Sequence, residues 1–572
     1  MIAFFILLIV FFSAAVSGLS TEQEVLVEDN SVLHLKLDAQ ITELQRENPF
    51  AGLPVPGGDV QHIGLLQLKD AIAHAKTDDK IKGIYLEVGQ TMTGFSTLEE
   101  IRESLIDFKE SGKWVYAYNE VMSEGAYYLS SAASKVYLNP EGEIEFNGLT
   151  AEISFFKKLF DKLEIKPEVF RVGEFKSAVE PFLLEKMSPE NRLQLTELLG
   201  SIYDYMITRI SEARNIPKEK LRDAADNMLV RNAAAAIELK LVDSLLYKDQ
   251  FDALMKKKLG VAEDKSIKFI RYNKYRKSYS SYKSSKNEIA VIVAEGTIVP
   301  GSSDQSDGII AADTYVEELR KAREDKDVKA IVFRVNSPGG EFRSSDMIWR
   351  EVELAKKEKP VIASMSDYAA SGGYYLSMAC DTIVAQPHTI TGSIGIFGVM
   401  FDMSGFLGDK LGITFDEVKT GKFGEMYTIS RPLTDAEKNF WQKNLEEHYE
   451  TFTGKAAAGR GVDISEIKKV ASGRVWSGSQ AKERNLVDVL GGYNDAVKIA
   501  AAKAHIAGDY KVRFFPQQKP FFENLLTQLE ENTRTEKIRA ELGELSIWYQ
   551  QLKKVQTYQG AQARLPFELQ IH

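Results

Sequence analysis

The feature that most restricts this chain is that it contains itself twice. "KIKGIYLEV" at 80–88 reads like "DVKAIVFRV" at 327–335, an offset of 335 − 88 = 247. "EGAYYLS" at 124–130 matches "SGGYYLS" at 371–377, and 371 − 124 is again 247. "LKLVDSL" (239–245) matches "RNLVDVL" (484–490) at 488 − 243 = 245. Three matches at a nearly constant offset indicate a duplicated domain of roughly 240 residues. A chain of 572 residues is in any case too long for one ordinary core. The repeat raises a chemical question: where the second copy has Ser371, the first has Glu124.

Each copy alternates two kinds of segment. "KAIVFRV" and "VIASMS" have the continuous apolar, β-branched character of buried parallel strands. Between them, "SSDMIWREVELAKKEK" spaces Met347, Ile348, Val352 and Leu354 for a helix. Strand–helix–strand alternation predicts an α/β fold. Two helix starts are marked: Thr434 and Glu437 form a capping-box pair, and Ser188 precedes Pro189 at a first helical position. The expected division is a segment 1–20, a first copy 30–255, a basic linker 256–286, a second copy 287–515 and a helical tail 516–572.

The first 19 residues carry no charged side chain. At about 1.5 Å per residue they nearly span a hydrocarbon core of about 30 Å. They read as a single-pass membrane anchor; the small residues of "SAA" and "AVS" leave a cleaved signal peptide as the alternative. Glu22, Glu24, Glu28 and Asp29 follow, so the positive-inside rule favours an exported body. The linker is basic and rich in Ser and Tyr, a composition that suits anionic lipid, nucleic acid or a plain solvated connection. The net charge of −10 argues against a general nucleic-acid binder. Cys380 is the only cysteine, which excludes an intrachain disulfide and a cysteine metal cluster.

"YAASGGYYLS" (368–377) places a serine before glycine at a strand-to-helix junction, where small neighbours admit a substrate backbone. "RVNSPGGE" (334–341) follows a predicted strand, so Gly339 and Gly340 offer backbone N–H groups to a developing oxyanion. Either stretch alone is also a common tight turn. A serine nucleophile needs a base. Of the seven histidines, His388 is the one close in sequence to the candidate turn. A lysine is the alternative. It would have to lose roughly three pKa units, about 4 kcal/mol, by desolvation to be neutral near pH 7.

Four stretches then make the chain similar to a known family: "RVNSPGGE", "AASGGYYLS", "TGSIGIFGV" (391–399) and "RVGEFKSAVEPF" (171–182). Together with the apolar start, the repeat and "QARLPF" near the C-terminus, they resemble the signal peptide peptidase A family in its long, duplicated, membrane-anchored form. The resemblance implies a fold of the Clp protease/crotonase type, a superhelix of β-β-α units in two tandem copies. It implies Ser371 as nucleophile, Lys176 as general base and Ser393 as the residue that orients the lysine. Gly372, with Gly340 or Gly339, matches the oxyanion-hole donors. It implies signal peptides as substrates, no metal or cofactor, and a homotetramer in the inner (cytoplasmic) membrane with its catalytic body on the exported side. Aligning "GEFK" (173–176) with "GKFG" (421–424) puts Gly424 in the base's slot of the second copy. Each copy has thus lost the partner that the other kept. The surviving pair could form within a chain or between subunits. Two rival readings share the fold. One is a crotonase-like acyl-CoA enzyme acting through Glu124 or Glu341, and the other is a non-catalytic membrane scaffold.

Overall fold

A computed structural model describes residues 25–45, 62–89, 93–280, 284–303, 308–516 and 561–565. The expected anchor at 1–20 and nearly all of the expected helical tail lie outside these residues. Among the described residues no helix is long and apolar enough to cross a membrane.

The duplication is visible strand by strand. The first copy builds a parallel sheet in which Ser31–Leu37, Ile81–Val88, Trp114–Met122 and Lys135–Ile144 lie side by side. The second repeats it with Glu288–Glu295, Val328–Ser337, Val361–Ala370 and Thr382–Ala385. Strands two to four start 247 residues after their counterparts, as in 328 − 81 and 361 − 114. The central strands are buried on both faces, which is why their sequences run apolar rather than alternating. The helix between Val328–Ser337 and Val361–Ala370 is Phe342–Lys356. It turns Ile348, Val352 and Ala355 inward and leaves Met347 exposed. Both marked helix starts form: Ser188 Oγ accepts from Asn191 N at 3.1 Å, and Glu437 accepts from Thr434 N at 2.8 Å.

The basic segment does more than connect. Phe269–Arg271 adds a parallel edge strand beside Val32–His34, and Tyr272 and Tyr275 are buried against the first copy. Tyr275 Oη donates to Asp78 at 2.9 Å.

Several contacts join the copies, a buried ion-pair cluster and a shared sheet among them. In the interior, the fully buried Arg334 of the second copy meets Glu43 at 2.8 Å and Glu100 at 2.7 Å, both from the first. A buried charge with all its partners present is tolerated, and removing one partner typically costs about 3–5 kcal/mol. Glu100 is pushed up by its burial but held down to about 2 by Arg334 and Lys69. The second contact is a mixed sheet. Lys166–Val172 of the first copy pairs antiparallel, over all seven residues, with Ile396–Asp402 of the second. That pairing places the end of one strand, at residue 172, beside the start of the other, at 396.

Candidate active site

The bridging strand ends at Val172 and the chain turns through Gly173, whose φ is +106°. A side chain there would drive its Cβ to 2.4 Å from the Ser472 backbone, so only glycine fits. Phe175 N donates to Ser472 O at 3.0 Å, and Lys176 follows. Helix Pro189–Arg214 braces this turn. Its Gln194 donates to Phe175 O at 3.1 Å and to Ser177 Oγ at 2.9 Å, and accepts from Val475 N of the second copy. Nothing in the sequence marks Gln194 for this role; it reads there as an ordinary helical residue.

Ser371 stands between strand Val361–Ala370 and helix Gly372–Ser377 with φ 55° and ψ −112°. A non-glycine residue at positive φ stores about 1–3 kcal/mol of strain. Its N–H donates to Gly392 O at 2.8 Å. The tyrosine pair that follows anchors the short helix: Tyr374 Oη donates to Leu486 O and Tyr375 Oη to Asp346. Ser393, at φ 51°, begins the turn into the partner of the bridging strand.

These three residues meet. Lys176 Nζ lies 2.8 Å from Ser371 Oγ, 3.0 Å from Ser393 Oγ and 3.1 Å from Ser393 O. All are within one chain, and all three residues are 0 % exposed. The Phe397 ring lies 5.9 Å from the amine. Among the described residues no carboxylate pairs with Lys176. Burial strips the ammonium of hydration and supplies no opposite charge, so the amine is held well below the ordinary lysine range.

The glycines divide their work. Gly339 adopts φ +103°, and its N–H donates to Ser337 Oγ at 3.2 Å. That donor is therefore committed within its own turn. A Cβ on Gly339 would stand 2.8 Å from Gly372 N, which brings the two turns into contact.

The strand edge beside Gly340 is occupied. Gln562–Arg564, from the expected helical tail, forms a strand between Gly339–Glu341 and Ile396–Asp402. Phe342 N donates to Ala561 O and Leu565 N to Pro338 O. Antiparallel bonds alternate, so Gly340 and Ala563 between them are the exchanging pair. The Ala563 carbonyl therefore faces Gly340 N–H. Three residues of strand inside a long tail carry no periodicity to read.

Other candidates fall elsewhere. His388 sits in an aromatic cage of Phe95, Tyr128 and Tyr205, with burial holding its pKa down at about 3. Neither ring nitrogen has a partner among the described residues. Glu341 caps its helix, accepting from Arg343 N and Ser344 N. Glu124 is buried at the first position of helix Glu124–Ser130 and accepts from Asn147 N and Gly148 N. Its burial raises the carboxyl to about 7. Gly424 lies in a turn, donating to Gly421 O at 3.1 Å. Among the described residues no group of His, Cys, Asp and Glu is placed to hold a metal ion.

A strained serine touching a desolvated amine, on a duplicated α/β frame, has the make-up of a serine peptidase. The model of peptidase family S49 matches the chain twice, over residues 107–262 and 353–507, once in each copy. The chain belongs to that family. It is similar to a chloroplastic serine protease SPPA of Arabidopsis thaliana, 34% identical over 503 residues, covering 86% of this chain and 72% of that one. It is also similar to Protease 4 of Haemophilus influenzae, 36% identical over 457 residues, covering 78% and 74%. Solved structures similar to parts of it include a mutant ClpP1 from Listeria monocytogenes, with TM-score 0.24 and 14% identity over 36% of this chain and 94% of that one. A membrane-bound stomatin-specific protease gives 0.27 and 15% over 41% and 100%.

Proposed function

We propose that Ser371 is the nucleophile and Lys176 the general base of a serine endopeptidase that degrades extended apolar peptides, signal peptides among them. The observation that carries this reading is the 2.8 Å contact between Lys176 Nζ and Ser371 Oγ in a site sealed from water. A neutral amine has two N–H groups and one lone pair. The two oxygens of Ser393 accept both N–H groups, and Ser393 Oγ donates onward to Gly473 O. The lone pair is left for the Ser371 hydroxyl. Ser371 Oγ then attacks a peptide carbonyl as Lys176 takes its proton, and N–H groups of Gly340 and Gly372 receive the oxyanion. The lysine returns the proton to the leaving amine, and water hydrolyses the acyl-enzyme.

Substrate takes the strand position held here by Gln562–Leu565, pairing its backbone with Gly340. The first copy, 30–255, thus donates the base and the second, 287–515, the nucleophile. On the family resemblance, residues 1–20 anchor the chain in the cytoplasmic membrane with the body exported, as a homotetramer. A fluorophosphonate probe tests the reading. Mass spectrometry should find it on Ser371 in the wild type and nowhere in Lys176→Ala; labelling that survives the loss of the lysine would remove the base from the mechanism.

A further inference from the structure

The short strand Gln562–Arg564 sets a register as well as a place. Gly340 pairs with Ala563, and a Cβ on Gly372 would stand 2.9 Å from Ala563 O. The Ala563 carbonyl therefore lies against the backbones of both glycines, the two donors to the proposed oxyanion. A substrate residue in that position is the one whose carbonyl is attacked, so the bond cut is the one that follows it. Arg564 and Leu565 then stand where the first and second residues beyond the cut would lie.

Leu565 is held by backbone and side chain alike. Its N–H donates to Pro338 O at 2.6 Å. Its side chain is 5% exposed, in an apolar cluster with Leu198, Ile202, Ala370, Ile390 and Val475. Both copies build this cluster. Leu198 and Ile202 come from helix Pro189–Arg214 of the first copy. Ala370 directly precedes Ser371. Ile390 and Val475 lie on the next two strands of the sheet, Ile390 opposite Tyr368 and Val475 opposite Gly392. Gln194, Leu198 and Ile202 recur at intervals of four, along one face of their helix. One end of that face supports the turn that carries Lys176, and the rest walls the cluster.

We propose that this cluster is the specificity pocket for the second substrate residue beyond the cut bond, with Leu198 and Ile202 setting its depth. It takes a medium-sized aliphatic side chain. The inference rests on the reading of Ser371 and Lys176 as nucleophile and base, and on the tail strand marking the substrate's place. A leucine gains by leaving water for such a cluster. An aspartate would lose its hydration among these apolar side chains. The first copy thus reads the substrate as well as supplying the base, because one helix face serves both.

A peptide of the tail's own sequence, "GAQARLPFE", carrying a fluorophore and a quencher, tests this on the detergent-solubilised full chain. Mass spectrometry should find the cut between its second alanine and the arginine. Replacing the peptide's leucine by alanine should lower kcat/KM about 10–100-fold, and replacing it by aspartate should lower it further. Leu198→Ala should shift the preference at that peptide position from leucine to phenylalanine, and Ile202→Phe from leucine to alanine. Each shift is a ratio of two peptides on one variant, so a general loss of activity leaves it readable. Fluorophosphonate labelling of Ser371 serves as the fold control. A wild type that leaves the peptide whole would overturn the inference. So would Ser371-dependent cutting at another bond, cutting indifferent to the leucine, or wild-type ratios in both variants, and each of these leaves the dyad standing. Cutting that survives Ser371→Ala would overturn the dyad reading, and the pocket with it.

Discussion

In the second copy the strand runs into its short helix through Ser371 at φ 55°, with no side chain capping the turn. In the first, Ser123 takes a relaxed extended conformation, its Oγ accepts from Ala126 N, and the helix opens on Glu124. The frames are otherwise parallel, down to the tyrosine pairs: Tyr127 Oη donates to Leu241 O as Tyr374 Oη does to Leu486 O. The tyrosines are therefore scaffold, present in both copies. Strain at the turn is kept only in the copy that holds a nucleophile. A conformation costing about 1–3 kcal/mol persists where it orients a reacting group and relaxes where it does not.

The first copy also buries two opposite charges for the same physical reason. Lys176 is lowered and Glu124 raised, each by desolvation toward its neutral form. The neutral amine lies in contact with a hydroxyl of the second copy. Among the described residues, the neutral carboxyl accepts only from backbone N–H groups of its own copy.

The largest effect should come from the pair that the two copies share. Ser371→Ala and Lys176→Ala should each reduce peptide turnover by roughly 10⁴–10⁶-fold, and the double variant by no more than either, since the two act as a unit. A double variant distinctly worse than both singles would separate the residues. Next comes the serine's slot in the first copy. Glu124 holds its proton to about 7 in the fold but to the ordinary 4.5 when unfolded. Its ionisation therefore costs stability that is absent below pH 4.5, grows between 4.5 and 7, and is complete above. Glu124→Gln should be more stable than wild type at pH 8 by about 3 kcal/mol and unchanged at pH 4, read by denaturant titration. A gain equal at both pH values would show that charge is not the cause.

A smaller effect is expected at Ser393. Ser393→Ala removes one of two oxygens that accept from the lysine, and should lower kcat about 10–100-fold with KM little changed. The smallest is an expected null. Glu124→Ser restores a hydroxyl but no base, because Gly424 stands in the lysine's slot. Probe labelling should stay at one serine per chain; a second labelled serine at position 124 would mean that the frame alone activates a hydroxyl.

What could be read in the sequence follows from how local each signal is. The repeat, the buried parallel strands and the helix caps are written in short stretches, and the structure forms them where the spacing indicates. The contact between Lys176 and Ser371 spans 195 residues, and no periodicity encodes it. It becomes legible through the resemblance of "RVGEFKSAVEPF" and "AASGGYYLS" to the family's motifs, after which the repeat shows a slot emptied in each copy. The cap made by Glu341, the Ser337 acceptor that occupies Gly339, and the strand at Gln562–Arg564 were not legible. Each depends on tertiary neighbours that a window of sequence does not contain.

The most direct measurement is the pH dependence of Ser371 acylation by a fluorophosphonate. A lysine neutralised by burial predicts a rate already on its plateau at neutral pH, falling below that with the slope of one proton. A rate that keeps climbing through pH 9–10, as an ordinary solvated lysine would dictate, would contradict the account.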